Sequence, residues 1–140
     1  MNLRAMFIQI PGPAVAAMAL SLPLTACDSM ETRTEEVTAT AYTLSEAETK
    51  KGNVGLAAWG DQLEPGMKAI AVSRDLIPQG LGHEAVVKIE GLDGEYVVRD
   101  KMNRRWTDKI DILMADRAAA REWGKQTVTI SWQVPESQTE

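Results

Sequence analysis

Cysteine and histidine are nearly absent: the chain has one of each, Cys27 and His83. A single cysteine rules out an internal disulfide. One histidine, with no Cys/His cluster, argues against a zinc centre, and no metal or other cofactor is expected. Positive charge is short as well, with 15 Lys+Arg against 20 Asp+Glu and a net charge of -5. That balance argues against a nucleic-acid partner. No internal repeat runs through the sequence, so a solenoid is excluded. What is present is an ordinary globular mixture, 44% hydrophobic and 25% charged, in 140 residues. That length allows one domain.

The N-terminal residues 1–26 have the composition of a signal peptide. Arg4 supplies a basic start, and the run from Val15 to Leu24 is apolar but too short to span a bilayer. Leu24-Thr25-Ala26-Cys27 resembles the lipobox of bacterial lipoproteins. The resemblance implies lipidation of Cys27, and several acyl chains hold a protein firmly to a membrane. In enteric bacteria an aspartate in the place of Asp28 resembles an inner-membrane retention signal. The expected location is therefore the cell envelope facing the periplasm, at the inner membrane by that signal, with the outer membrane as the alternative. Residues 27–36 read as a polar lipidated tether. Residues 37–134 read as the folded domain, and residues 135–140 as a disordered tail.

Within the domain, β-branched and alternating runs predict strands at Val37–Tyr42, Met67–Ser73, Ala85–Glu90, Glu95–Asp100, Lys109–Met114 and Thr127–Val134. Thr43–Trp59 is poor in bulky apolar residues and reads as a long loop, of the kind that is either functional or covers something. Ile77–Gly80 reads as a turn around Pro78, and Gly91–Gly94 as a hairpin connection. Asp116 is a good N-cap and Gly124 a good stop, so the alanine-rich stretch between them predicts the one helix. Six short strands and one short helix suggest a small closed barrel, a mainly β fold.

The chemistry is expected in Glu95–Met114. Simple alternation puts Tyr96, Val98 and Asp100 on one strand face, an expensive place for a charge. Asp111 sits inside the apolar run Ile110–Met114, which reads as buried on both faces. Two acids embedded in neighbouring apolar strands are the best candidates for a reactive site.

Thr38–Tyr42 (TATAY), Ile70-Ala-Val72 followed by Ile77-Pro-Gln-Gly80, Val98-Arg-Asp100, Ile110-Asp-Ile112 and Ala120–Gly124 occur in one order. As a set they resemble the 3D (Asp-Asp-Asp) domain family, across nearly all of Val37–Trp132. The resemblance implies a six-stranded double-psi β-barrel related to the catalytic domain of membrane-bound lytic transglycosylase A. It implies peptidoglycan glycan strands as the partner, and cleavage of β-1,4 bonds between N-acetylmuramic acid and N-acetylglucosamine. Asp100 is then the acid/base and Asp111 the charge that tunes or orients it. Many members carry their first aspartate directly after the Ala-Val pair; here that position is Ser73, and Asp75, two residues later, is the third candidate for the catalytic acids. Where many members have Thr-Gly-Gly-Ala-Ile after the middle aspartate, this chain has Lys101–Trp106 (KMNRRW). That loop brings Asn103, Arg104 and Trp106 forward as substrate-binding candidates.

Other residues carry two readings each. Thr40 and Tyr42 are candidates for hydrogen bonds to the acid or to a sugar, against plain barrel packing. Trp59 is a candidate stacking platform or a plug at one barrel end. Trp123 and Trp132 are expected in the core and His83 at the surface. For the whole chain, a non-catalytic peptidoglycan-binding or scaffold lipoprotein on the same barrel is the alternative to an enzyme.

Overall fold

The computed structural model describes residues 12, 29–47 and 54–136. The expected signal peptide, the lipidation site Cys27, Asp28, Gly52-Asn53 and the last four residues of the tail lie outside the described residues. Among the described residues no helix is long and apolar enough to cross a membrane.

Six strands close into a barrel: β1 (Met30–Tyr42), β2 (Ala69–Val72), β3 (Val86–Ile89), β4 (Tyr96–Lys101), β5 (Lys109–Leu113) and β6 (Gln126–Pro135). Around the wall the order is β1-β5-β2-β4-β3-β6. Two neighbouring pairs, β1 with β5 and β2 with β4, run parallel; the other four contacts are antiparallel. The expected mainly β closed barrel is therefore present, with strand limits within a residue or two of those read from alternation. One stretch differs more. β1 begins at Met30, inside the stretch expected to be a tether, and pairs with β6 from Met30↔Pro135 to Ala39↔Gln126. Its first seven residues lack the apolar alternation of a core strand because they are mostly exposed, and only Val37 and Ala39 reach the barrel interior.

The interior is filled by β-branched side chains at alternate positions: Val37, Ile70, Val72, Val87, Val98, Ile110, Ile112, Val128 and Ile130 are fully or almost fully buried. Trp132 joins them as expected, and Trp123 packs against them from outside. A second apolar cluster lies on the outer side of the wall. Leu44, Ala57 and Leu63 of the connection between β1 and β2 cover Ala69 of β2 and Leu113 of β5. The loop expected to cover something thus covers the β5-β2 face, starting with a short helix α1 (Leu44–Ala47).

The expected turn at 77–80 belongs to a 3-10 helix, Arg74–Gln79, ended by Gly80 at φ 104°. The alanine-rich helix, α2 (Arg117–Trp123), has the expected caps: the Asp116 carboxylate accepts from Ala119 N at 2.8 Å, and Gly124 ends it. Gly80 is required twice over. Its φ suits only glycine comfortably, and a Cβ there would meet Val134 Cγ1 at 2.6 Å and Trp132 Nε1 at 3.1 Å. That indole N–H is itself held by Gln79 O at 2.9 Å.

Gly80→Ala is expected to lower the unfolding free energy by about 2–4 kcal/mol, combining overpacking with left-handed backbone strain. Gly66→Ala, at φ 89° with open space around it, carries only the strain and is expected to cost about 1–2 kcal/mol. Equilibrium urea unfolding of both variants checks the contrast; equal losses would contradict the packing account.

Candidate functional site

Strand register brings the two expected acids to one face. Thr40 pairs with Asp111, Asp111 with Ala71, and Ala71 with Asp100, so the four form one row across β1, β5, β2 and β4. Their strand neighbours Ala39, Ile70, Val72, Val98, Ile110 and Ile112 fill the interior. The row therefore lies on the outer face, beside the covering segment. β2 separates β4 from β5, so the Cα atoms of Asp100 and Asp111 are about two strand spacings apart, roughly 10 Å.

This corrects the expected position of Asp100. Unbroken alternation puts it on the inward face with Tyr96 and Val98. The register instead jumps from Ile70↔Val98 to Ala71↔Asp100, leaving Arg99 as an extra residue in β4. A bulge of this kind re-aims the next side chain. Asp100 turns outward, half-buried, away from the sealed interior.

The two acids are then held differently. Asp100 Oδ1 accepts two backbone N–H bonds at 2.9 Å each, from its neighbour Lys101 and from Ala58 in the covering segment. These fix one carboxylate oxygen in place. Asp111 Oδ1 accepts the Thr40 hydroxyl at 3.1 Å, so Thr40 is bonded to the second acid and not to Asp100. Tyr42 stands two residues beyond Thr40 on β1, where the charges of both acids act on it. Its hydroxyl is buried and has no hydrogen-bond partner among the described residues. Burial first, then the charges of Asp100 and Asp111, push the Tyr42 phenol far above its ordinary range. The phenol is thus a neutral donor that senses both carboxylates.

A cleft of about 380 Å³ opens at Asp100, lined also by Leu56, Ala58, Arg74, Lys101 and Asn103. Asp111 is not part of its lining. A larger hollow of about 620 Å³ lies elsewhere, on the face formed by Met30, Val86, Lys88 and Gln133, away from the acid row. Trp59 is packed rather than open: His83 stacks on it with ring centroids 5.1 Å apart, and Lys101 Nζ sits 5.5 Å from its centroid. His83 is exposed as expected, yet it also bonds Asp61, which pairs with Arg99 as well. Sequence reading missed this Trp59–His83–Asp61 cluster because its members sit in separate loops with no spacing signal. It also missed Arg74, whose Nε donates to Met102 O at 3.1 Å.

The remaining candidates lie along the loop after β4 and beyond it. Asn103 Oδ1 accepts from Arg105 N at 3.1 Å and shapes the turn. Trp106 is 36% exposed, with Lys109 Nζ 3.7 Å and Arg105 Cζ 4.7 Å from its centroid. Asp75 is not brought to the acid row. Its Oδ2 accepts from Asp108 N at 2.9 Å, beyond the end of β2, where Ser73 Oγ accepts from Lys109 N at 3.0 Å. Burial alone would raise the Asp75 carboxyl. The Ser73 hydroxyl and the N–H groups of Asp108 and of Asp75 itself outweigh it and hold the group below its ordinary value. Glu35, by contrast, is raised by burial and by Asp108 and Asp75. Among the described residues no group of acids, histidines or cysteines has the arrangement of a metal site.

No protein-family model matches the chain. In sequence it is similar to the cell wall-binding protein YocH of Bacillus subtilis (strain 168), 35% identical over 96 residues. That match takes in 67% of this chain and 30% of the relative, so the chain corresponds to under a third of the relative's length. Among solved structures it is similar to an expansin of Clavibacter michiganensis, with 18% identity, TM-score 0.49, and coverage of 74% of this chain and 52% of that one. It is equally similar to a papain inhibitor of Streptomyces, with 18% identity, TM-score 0.49, and coverage of 73% and 94%. Likenesses at this level carry no inference about what the chain binds.

Because Asp75 is held below its ordinary value of 3.8, its ionised form stabilises the fold above that value, and the contribution is lost as pH falls through the lower folded value. Asp75→Asn is expected to cost up to about 1 kcal/mol at pH 7, discounted for solvent exposure. The difference from wild type should shrink steadily below pH 4. Urea unfolding at pH 7 and pH 3 checks it; a gap that persists unchanged at pH 3 contradicts the assignment.

Proposed function

We propose that this chain is a 3D-type double-psi β-barrel that acts on peptidoglycan, cleaving bonds between N-acetylmuramic acid and N-acetylglucosamine in the manner of a lytic transglycosylase. In the same reading Cys27 carries the lipid that holds the domain at the envelope. The observation that carries the reading is the row Thr40–Asp111–Ala71–Asp100, which puts both acids on one face with a cleft at Asp100. Resemblance of the motifs to the 3D family and the cell wall-binding relative support the substrate class.

The chemistry needs one acid. With Oδ1 of Asp100 fixed by two N–H groups, Oδ2 is the oxygen that meets the substrate. Protonated, it gives its proton to the glycosidic oxygen as the C1–O bond breaks, releasing the 4-hydroxyl of the leaving sugar. The carboxylate then takes the proton of the muramyl C6 hydroxyl while that oxygen bonds to C1. The products are a 1,6-anhydro ring and a regenerated acid, with no water consumed. Asp111, held by Thr40, is the second carboxylate of the same row.

A second reading is a binder without turnover. The relative's name speaks of binding, and the basic loop Lys101–Trp106 stands where a glycine pair would let the glycan approach the backbone.

Incubation of the purified protein with isolated sacculi separates the two. Anhydro-muropeptides are expected from wild type, with the rate reduced about 10²–10⁴-fold by Asp100→Asn and less by Asp111→Asn. Sedimentation with sacculi without any anhydro product, unchanged by Asp100→Asn, would establish the binder and sink the enzyme.

A further inference from the structure

One surface is left unused by this chemistry. The stretch from Lys101 to Lys109 holds Lys101, Arg104, Arg105 and Lys109 against a single acid, Asp108, in a chain whose net charge is -5. That acid lies among others: Asp108 acts electrostatically on Glu35, and its N–H is taken by Asp75. Among the described residues none of the four cations is in an ion pair, whereas Arg99 lies within 4 Å of both Asp61 and Glu84.

The backbone that carries them is also held in place. Met102 N donates to Val72 O at 2.8 Å, and Arg74 Nε donates to Met102 O at 3.1 Å. Asn103 closes the turn by accepting from Arg105 N and Trp106 N, each at 3.1 Å. The exposed indole of Trp106 then gathers Arg105 and Lys109 onto one ring. Cation–π contacts of this kind hold charge without neutralising it. The root of the loop, Lys101 and Asn103, lines the Asp100 cleft.

We propose that Arg105 and Lys109 on the Trp106 platform, with the adjacent exposed Arg104, bind the carboxylates of the stem peptides, so that the site prefers peptide-bearing glycan to bare glycan. This rests on the peptidoglycan reading above and adds the group that selects the substrate. The warrant is positional. A stem peptide hangs from the lactyl ether of the same muramyl sugar whose bond would lie at Asp100. Its carboxylates therefore come toward the loop that runs on from Asn103 in the cleft lining, whose guanidinium groups form no ion pair among the described residues. Guanidinium offers paired donors that match a carboxylate.

The test measures binding and anhydro products on intact sacculi and on sacculi stripped of stems by an amidase. Wild type is expected to bind intact sacculi about tenfold more tightly, the scale of one or two charge-assisted contacts. The preference should decline between ~50 and ~300 mM salt. The double variant Arg104→Glu/Arg105→Glu should bring the ratio of intact to stripped binding near one, with an unchanged urea midpoint showing that it folds. Equal wild-type affinity for both materials would overturn the proposal, as would a double variant that loses affinity for both in proportion. Binding that survives the amidase and disappears on acid extraction of wall phosphopolymers would overturn it in favour of phosphodiesters. Stem-dependent binding without anhydro products would sink the cleavage reading and leave this one standing; no binding to either material would sink both.

Discussion

The placement of Asp100 depends on one inserted residue. β4 pairs with β2 in perfect register through Val98, and then Arg99 enters without a partner. Without it, Asp100 would point into an interior packed with isoleucine and valine, where an ionised carboxylate is very costly to bury. With it, Asp100 joins Asp111 and Thr40 on the outer wall. The barrel thus keeps an apolar filling and a polar face on the same four strands. Arg99 itself is turned to Asp61 and Glu84, so the inserted residue also helps tie the covering segment and the turn before β3 to β4.

That covering segment makes the outer face a site instead of a solvated wall. Leu44, Ala57 and Leu63 seal Ala69 and Leu113, which brings the Tyr42 phenol out of water and strengthens its response to both carboxylates. The backbone of the same segment reaches Asp100 through Ala58 N. Trp59, next along, is gripped by His83 and Lys101. The segment is therefore fastened twice in succession, by a main-chain bond to the acid and by an aromatic stack at the next residue. The barrel supplies the row, and the crossing segment supplies the dryness.

How much of this was legible in the residues varies with the physics. Interior strands could be read because burial on one face imposes alternation, as in Gln126–Pro135, and α2 because Asp116 and Gly124 are caps with a stereochemical reason. The acids at 100 and 111 stood out because charge in an apolar run is costly. The bulge could not be read: YVVRDK contains no glycine to mark it, and the irregularity arises from pairing with β2, which is a distant segment. The start of β1 was hidden for the opposite reason. Met30–Glu36 is paired by backbone bonds to β6 while its side chains stay largely in solvent, so composition marks it as tether. The role of Asp75 was legible only as a family position, while its bond to Asp108 depends on how the turn into β5 folds.

The long β1–β6 ribbon has a mechanical consequence. It ends with Glu136 N bonded to Ser29 O at 3.0 Å, so the polypeptide enters and leaves the barrel at adjacent points. Traction applied between those two points would peel the ribbon rung by rung, a low-force unzipping geometry. Traction on one of them alone would swing the whole barrel as a rigid bob and load no rung at all.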